Sequence, residues 1–159
     1  MAVKGYLAAE RFEHERIGAA AIYCSDGRYN EQFDEFLHRH LGLPRYDRLV
    51  VPGGPAVLAG HVSAYRDEEA MVEQLRFLIE GHGLDQVVMI AHQGCGFYRK
   101  RLMVSDTRMR AQQDDDLVKA AARVRAVSRN VGVLAFVAGL TEVEAGAGGR
   151  VVIEAVEVG

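Results

Sequence analysis

The sequence predicts an α/β fold in which a parallel central sheet is flanked by helices and closed by an antiparallel C-terminal strand. Three observations carry this. Short apolar, β-branched runs alternate along the chain with segments whose apolar residues recur at helical spacing. The last segment, "RVVIEAVEV", alternates apolar and polar residues behind the glycine-rich "AGAGG", as a hairpin partner at or near a sheet edge does. Finally, 159 residues with 49% hydrophobic and 26% charged content can bury one core, so residues 1–159 are read as a single domain.

The first strand is placed at 18–23, where "GAAAIY" is apolar on both faces. A helix follows over 31–40, with Phe33, Phe36, Leu37 and Leu41 on one side, and Gly42 and Pro44 stop it. The second strand, 48–51, runs into "PGGP", which reads as a turn. Helical spacing returns at 64–80, where Met71, Val72, Leu75, Leu78 and Ile79 form the buried stripe, Ser63 is the expected N-cap and Gly81 the expected stop. The third strand, 86–91, leads directly into "HQGCG". The triplet Asp114, Asp115 and Asp116 suits the positive end of a helix dipole, and is expected to open a helix that reaches Ser128. The fourth strand is placed at 133–138.

Composition excludes several functions. Nineteen basic against 22 acidic side chains give a formal charge of −3, whereas nucleic-acid binding needs a clustered positive surface. The one basic cluster, Arg99, Lys100, Arg101, Arg108 and Arg110, precedes the acidic triplet and reads as a solvated loop or the edge of a subunit contact. No run approaches the length of a membrane span, and charges interrupt the N-terminal segment too early for a secretory leader. A soluble, cytoplasmic protein with two reduced thiols, Cys24 and Cys95, is the expectation.

In parallel α/β sheets ligands bind beyond the carboxyl ends of the strands, where loops from neighbouring strands converge. Three of those ends carry unusual sequence: "YCSDGR", "VPGGP" and "AHQGCGFY". If the first and third strands are neighbours, Cys24 meets His92 and Cys95 at one rim. Two thiolates and an imidazole are donors that zinc prefers, and the H-x-x-C spacing lets one short loop offer two of them. Three protein ligands leave a tetrahedral position open. Asp26 either fills it as a fourth ligand or stands just outside, oriented by an ion pair with Arg28.

These residues resemble the β-class carbonic anhydrases. The paired motifs of that family, C-x-D-x-R and H-x-x-C, stand here as Cys24-Ser25-Asp26-Gly27-Arg28 and His92-Gln93-Gly94-Cys95, followed by Gly96. The later "FVAGLTEVEAGAGGRVV" is similar to the closing hairpin of the family. The resemblance implies zinc held by Cys24, His92 and Cys95, with Asp26 and Arg28 as a catalytic dyad, and a homodimer or higher homo-oligomer. It implies reversible hydration of carbon dioxide to bicarbonate by a zinc-bound hydroxide, while the charge balance and the lack of a long apolar run lead to the expectation of no nucleic-acid or membrane partner. Some relatives let the aspartate ligate zinc at low pH, so Asp26 is a fourth-ligand candidate in a closed form. Two thiolates offset the charge of the metal, so activity is expected to rise toward alkaline pH.

Three positions depart from the family pattern. Gly27 stands where many members have serine, Val51-Pro52-Gly53-Gly54-Pro55 replaces a segment like R-N-A-G-N, and the first glutamine is Gln32, after the Cys24 motif. The rival functions are a zinc hydrolase for another heterocumulene, such as carbonyl sulfide or carbon disulfide, and a zinc-binding member without turnover. A metal-free thiol enzyme built on Cys24 would leave His92 and Cys95 unexplained. His61 and Tyr29 are candidates for moving protons near the rim.

Overall fold

The computed structural model of the protein describes residues 4–141 and 148–159. Five strands form one sheet: β1 (Ala19–Cys24), β2 (Asp47–Val51), β3 (Gln86–His92), β4 (Gly132–Leu140) and β5 (Val151–Val156), in the order β2-β1-β3-β4-β5. The first four are mutually parallel, and β5 runs antiparallel to β4 at the edge, with Leu140 opposite Val151. The expected architecture is the observed one. Residues 142–147 of the connection between β4 and β5, including most of "AGAGG", lie outside the described residues.

The sheet is buried on both faces at its centre, which is why β1 and β3 read as continuous apolar runs. Ile22, Val87, Met89 and Val137 face α2 (Tyr65–His82) and α4 (Asp106–Val127), whose Met71, Leu75, Leu117, Ala120 and Val124 complete that core. The alternate residues Ala21, Tyr23, Val88 and Ile90 face Phe33 and Leu37 of α1 (Asn30–Glu35) and the turn after it. That turn, Phe36–His40, is wider than an α-turn, with Leu41 N–H reaching the Phe36 carbonyl at 3.1 Å. Gly42, at φ 66°, then ends the element.

Three helix ends correct the sequence reading. The second long helix runs on through Gly81 and stops at Gly83, which takes the left-handed conformation at φ 62°, and Ser63 makes no cap because a short 3-10 turn, Val62–Ala64, precedes the helix. The fourth helix starts at Asp106, not at the acidic triplet. Nothing in "DTRMRAQQ" breaks a helix, so the first turn falls after Ser105 and the triplet lies mid-helix. There Asp114 pairs with Arg110 and Asp115 with Lys119, each one turn away, while Asp116 is buried.

The segment "PGGP" is also more than a turn. Gly54–Leu58 forms a 3-10 helix that is buried throughout. Three members of the basic cluster form exposed ion pairs, Arg99 with Asp106, Arg101 with Asp67, and Arg110 with Asp114 and Glu154. No helix among the described residues is long and apolar enough to cross a membrane.

Candidate metal centre

Because β1 and β3 are adjacent and parallel, both end at the same rim. Cys24 is the last residue of β1 and His92 the last of β3. After His92 a tight turn through Gly94, at φ 70°, brings Cys95 back to the start of the short helix α3 (Gly96–Lys100). Cys24, His92 and Cys95 thus meet with their donor atoms all within 4.8 Å of one another, and all three residues are buried. The two sulfurs are 3.9 Å apart, and neither forms a disulfide.

The imidazole is set for coordination. Its Nδ1 donates to the Gln93 carbonyl at 2.8 Å, which fixes the tautomer and leaves a lone pair on Nε2. Nε2 is buried and finds no hydrogen-bond partner among the described residues. Such an orphaned acceptor costs about 1–3 kcal/mol, and a cation shared with the two sulfurs would remove the deficit. The ring of Tyr29 lies over the imidazole, with centroids 4.4 Å apart.

Of the two sulfurs, Cys24 is the one held for deprotonation. The hydrogen bond with Cys95 brings the Cys24 thiol well below its ordinary value against the opposing effect of burial, and the neighbouring His92 imidazole and the main-chain N–H groups of Gly53 and Asp26 add to it. The same bond with Cys24, together with burial, pushes Cys95 up, while the N–H groups of Tyr98 and Phe97 partly offset this. A divalent cation would displace both protons, so this donor set fits zinc chemistry.

Gly54 explains how the 3-10 turn closes the site. At φ 53° its α-carbon lies against the main chain of β1, and a β-carbon there would sit 2.7 Å from the Cys24 nitrogen and from the Tyr23 carbonyl carbon. Gly53, at φ 82°, leaves room for the Phe97 ring in the same way. The glycine pair is therefore a packing surface for the loops that carry the sulfurs.

Asp26 and Arg28 lie outside the three-donor cluster. Arg28 grips the carboxylate with Nη2 at 2.6 Å from Oδ2 and Nε at 3.0 Å from Oδ1, and its main-chain N–H adds a 3.1 Å bond to Oδ1. These bonds hold the Asp26 carboxyl down at about 2. Of the two arrangements open at the level of sequence, the geometry displays the ion pair. On this side a cavity of about 380 Å3 is lined by Arg28, Tyr29, Gln32, Gln93, Arg99 and Leu140. Gln32 therefore does reach a pocket, although it follows the Cys24 motif.

The opposite side holds residues that the sequence reading missed. Tyr98 and Asp116 are buried and joined by a 2.7 Å hydrogen bond, and His61 Nε2 lies 2.8 Å from the same carboxylate oxygen. Burial and the Asp116 charge push the Tyr98 phenol up, so it remains a donor. His61 is thus engaged with Asp116, away from Asp26 and Arg28. The available signal was the interval Met109, Gln113, Leu117, Ala120, Val124, an apolar face interrupted by polar residues, legible once the helix is started at Asp106.

Comparison with known proteins agrees with this geometry. The family model described as "Putative carbonic anhydrase" matches residues 14–145. No curated protein matches the sequence. Among solved structures, the β-carbonic anhydrase isoform I of the protozoan Trichomonas vaginalis superposes with a TM-score of 0.55 at 13% identity, over 91% of this chain and 87% of that one. The β-carbonic anhydrase CafA of Aspergillus fumigatus gives 0.53 at 15% identity, over 91% and 77%. A carbonic anhydrase from Glaciozyma antarctica gives 0.51 at 16% identity, over 78% of each chain. At these identities the likeness is one of fold.

Proposed function

We propose, on the premise that this chain belongs to the carbonic anhydrase family whose model spans residues 14–145, that it binds zinc and reversibly hydrates carbon dioxide. The observation that carries the reading is the convergence of three buried donors from two strand ends around an imidazole nitrogen with no hydrogen-bond partner among the described residues. Cys24, His92 and Cys95 would hold the ion. Bound zinc supplies a Lewis acid that makes water a nucleophile near neutral pH.

The remaining groups have separable tasks. Asp26, kept anionic by Arg28, can only accept hydrogen bonds, and so it orients an attacking water through that water's second proton. Arg28 fixes the carboxylate in direction and keeps it from turning toward the cluster. Tyr29 screens the imidazole from solvent, and its ring limits the rotation of His92. A homodimer accords with the exposed edge strand β5, where Val152 stands open, as does Leu140 at the end of β4.

Metal analysis of the purified protein and stopped-flow hydration of carbon dioxide test the reading together. About one zinc per chain and a rate well above that of buffer support it, and zinc without turnover leaves a metal-binding protein of the same fold. Running carbonyl sulfide and carbon disulfide alongside tests whether the pocket lined by Arg28, Tyr29, Gln32 and Gln93 selects another heterocumulene.

A further inference from the structure

Helix α4 buries two polar side chains, Gln113 and Asp116, on a face otherwise made of Met109, Leu117, Ala120 and Val124. They stand three residues apart, hence on one side of the helix. Gln113 Nε2 donates to the carbonyl of His92 at 2.6 Å. Asp116 receives the Tyr98 hydroxyl at 2.7 Å and the Gln112 amide at 2.9 Å, and contacts His61 Nε2 at 2.8 Å. Tyr98 lies three residues beyond Cys95 in α3, and its own N–H reaches the Cys95 sulfur. His61 follows the 3-10 turn whose Gly54 lies against Cys24.

We infer that Gln113 and Asp116 are positioning residues for the metal centre, a clamp through which α4 fixes the segments carrying His92 and Cys95 and the turn beneath Cys24. The inference rests on the zinc reading above. A packing role alone does not account for Gln113, because its Oε1 is buried without a partner among the described residues. An apolar side chain would avoid that deficit, which is of the order of 1–3 kcal/mol. What the amide contributes is the bond to His92. Buried hydrogen bonds of this kind resist displacement because the low local dielectric strengthens them and water cannot replace them. Groups just outside a ligand shell typically change metal affinity by about 10–100-fold when removed.

The experiment compares wild type with Gln113→Leu, Tyr98→Phe, Asp116→Leu and Asp116→Asn. Zinc affinity is measured by chelator competition, the cobalt-substituted proteins are examined for thiolate charge-transfer bands, and the metal-free proteins are melted. Gln113→Leu exchanges an orphaned Oε1 for an orphaned His92 carbonyl, so its metal-free melting should stay close to wild type while zinc affinity falls by about tenfold or more. Tyr98→Phe deletes a single hydroxyl, and should weaken zinc at least threefold with a shifted cobalt spectrum. Asp116→Asn, which keeps an acceptor for Tyr98, should retain more affinity than Asp116→Leu.

If Gln113→Leu does not fold, Tyr98→Phe decides. Losses below threefold with unchanged cobalt spectra overturn the clamp while leaving the zinc reading intact. A wild-type protein that takes up no zinc overturns that reading and the clamp with it. Zinc uptake without carbon dioxide turnover sinks only the proposed activity, since the affinities still decide the clamp.

Discussion

The Cys24, His92 and Cys95 cluster has two walls that hold their shape by different means. Toward solvent stand Asp26 and Arg28, an ion pair whose arginine side chain is 79% exposed. Toward the protein interior stand Tyr98, Gln113 and Asp116, each no more than 1% exposed. The Arg28 side chain is solvated, so water can take over its bonds, while the Asp26 carboxylate, at 18% exposure, keeps a narrower opening to solvent. The inner groups have no such alternative, because breaking any of their bonds leaves a buried polar atom unmatched. The donor cluster is therefore bounded by a solvent-facing ion pair on one side and by fixed, buried groups on the other.

The largest effect should come from the cluster itself. Cys95→Ser replaces a soft donor with a hydroxyl that does not ionise near neutral pH, and should reduce zinc from about one ion per chain to a trace, measured by metal analysis after dialysis. Asp26→Ala sharpens the contrast, since it removes a group of the outer wall and no donor of the cluster. Zinc content should remain stoichiometric while carbon dioxide hydration falls by about 10²-fold or more. Equal loss of metal in both variants would place Asp26 among the ligands and dissolve the distinction between the walls.

A pair of glycine substitutions tests the walls without touching a polar group. Gly54→Ala drives a β-carbon to 2.7 Å from main-chain atoms of Tyr23 and Cys24, neither of which can step aside, and does so at φ 53°. Left-handed strain and overpacking together should destabilise by about 2–4 kcal/mol, read as a lower urea midpoint. Gly27 has nothing within 4 Å of the corresponding β-carbon. Gly27→Ser should therefore lie within about 0.5 kcal/mol of wild type.

Legibility in the sequence followed the same division. Cys24, Asp26, Arg28, His92 and Cys95 were visible because their spacing is local, two short motifs each ending a strand whose apolar run announces itself. That the two motifs meet depends only on the adjacency of β1 and β3, a property of the α/β pattern. The inner wall was hidden for two reasons. Asp116 belongs to a triplet that looks like a helix start, and only the true first turn at Asp106 shows that one of the three carboxylates turns inward. "PGGP" carries the composition of a turn, and nothing local reveals that a strand backbone lies 2.7 Å from where a side chain would begin. Burial of polar groups is decided by partners far away in sequence, here 18 residues between Tyr98 and Asp116 and 55 between His61 and Asp116.

The smallest effect concerns acid, and its sign follows from the outer pair. Asp26 is held at about 2 in the folded protein by its bonds to Arg28, below the ordinary carboxylate value of 3.8. A group whose folded value is depressed stabilises the fold above its unfolded value and loses that contribution as pH falls through the folded one. The contribution of Asp26 should thus be complete above about pH 4 and vanish as pH approaches 2, with no change between pH 5 and 9. The predicted signature is a carbon-13 carboxyl resonance of Asp26 that is flat through the neutral range and titrates only at the acid limit. In Arg28→Ala the midpoint should return toward the ordinary value. A carboxyl that instead titrates between pH 6 and 8 would mean that the ion pair opens in solution, and that the outer wall, not the sulfur and imidazole donors, sets the pH response of the site.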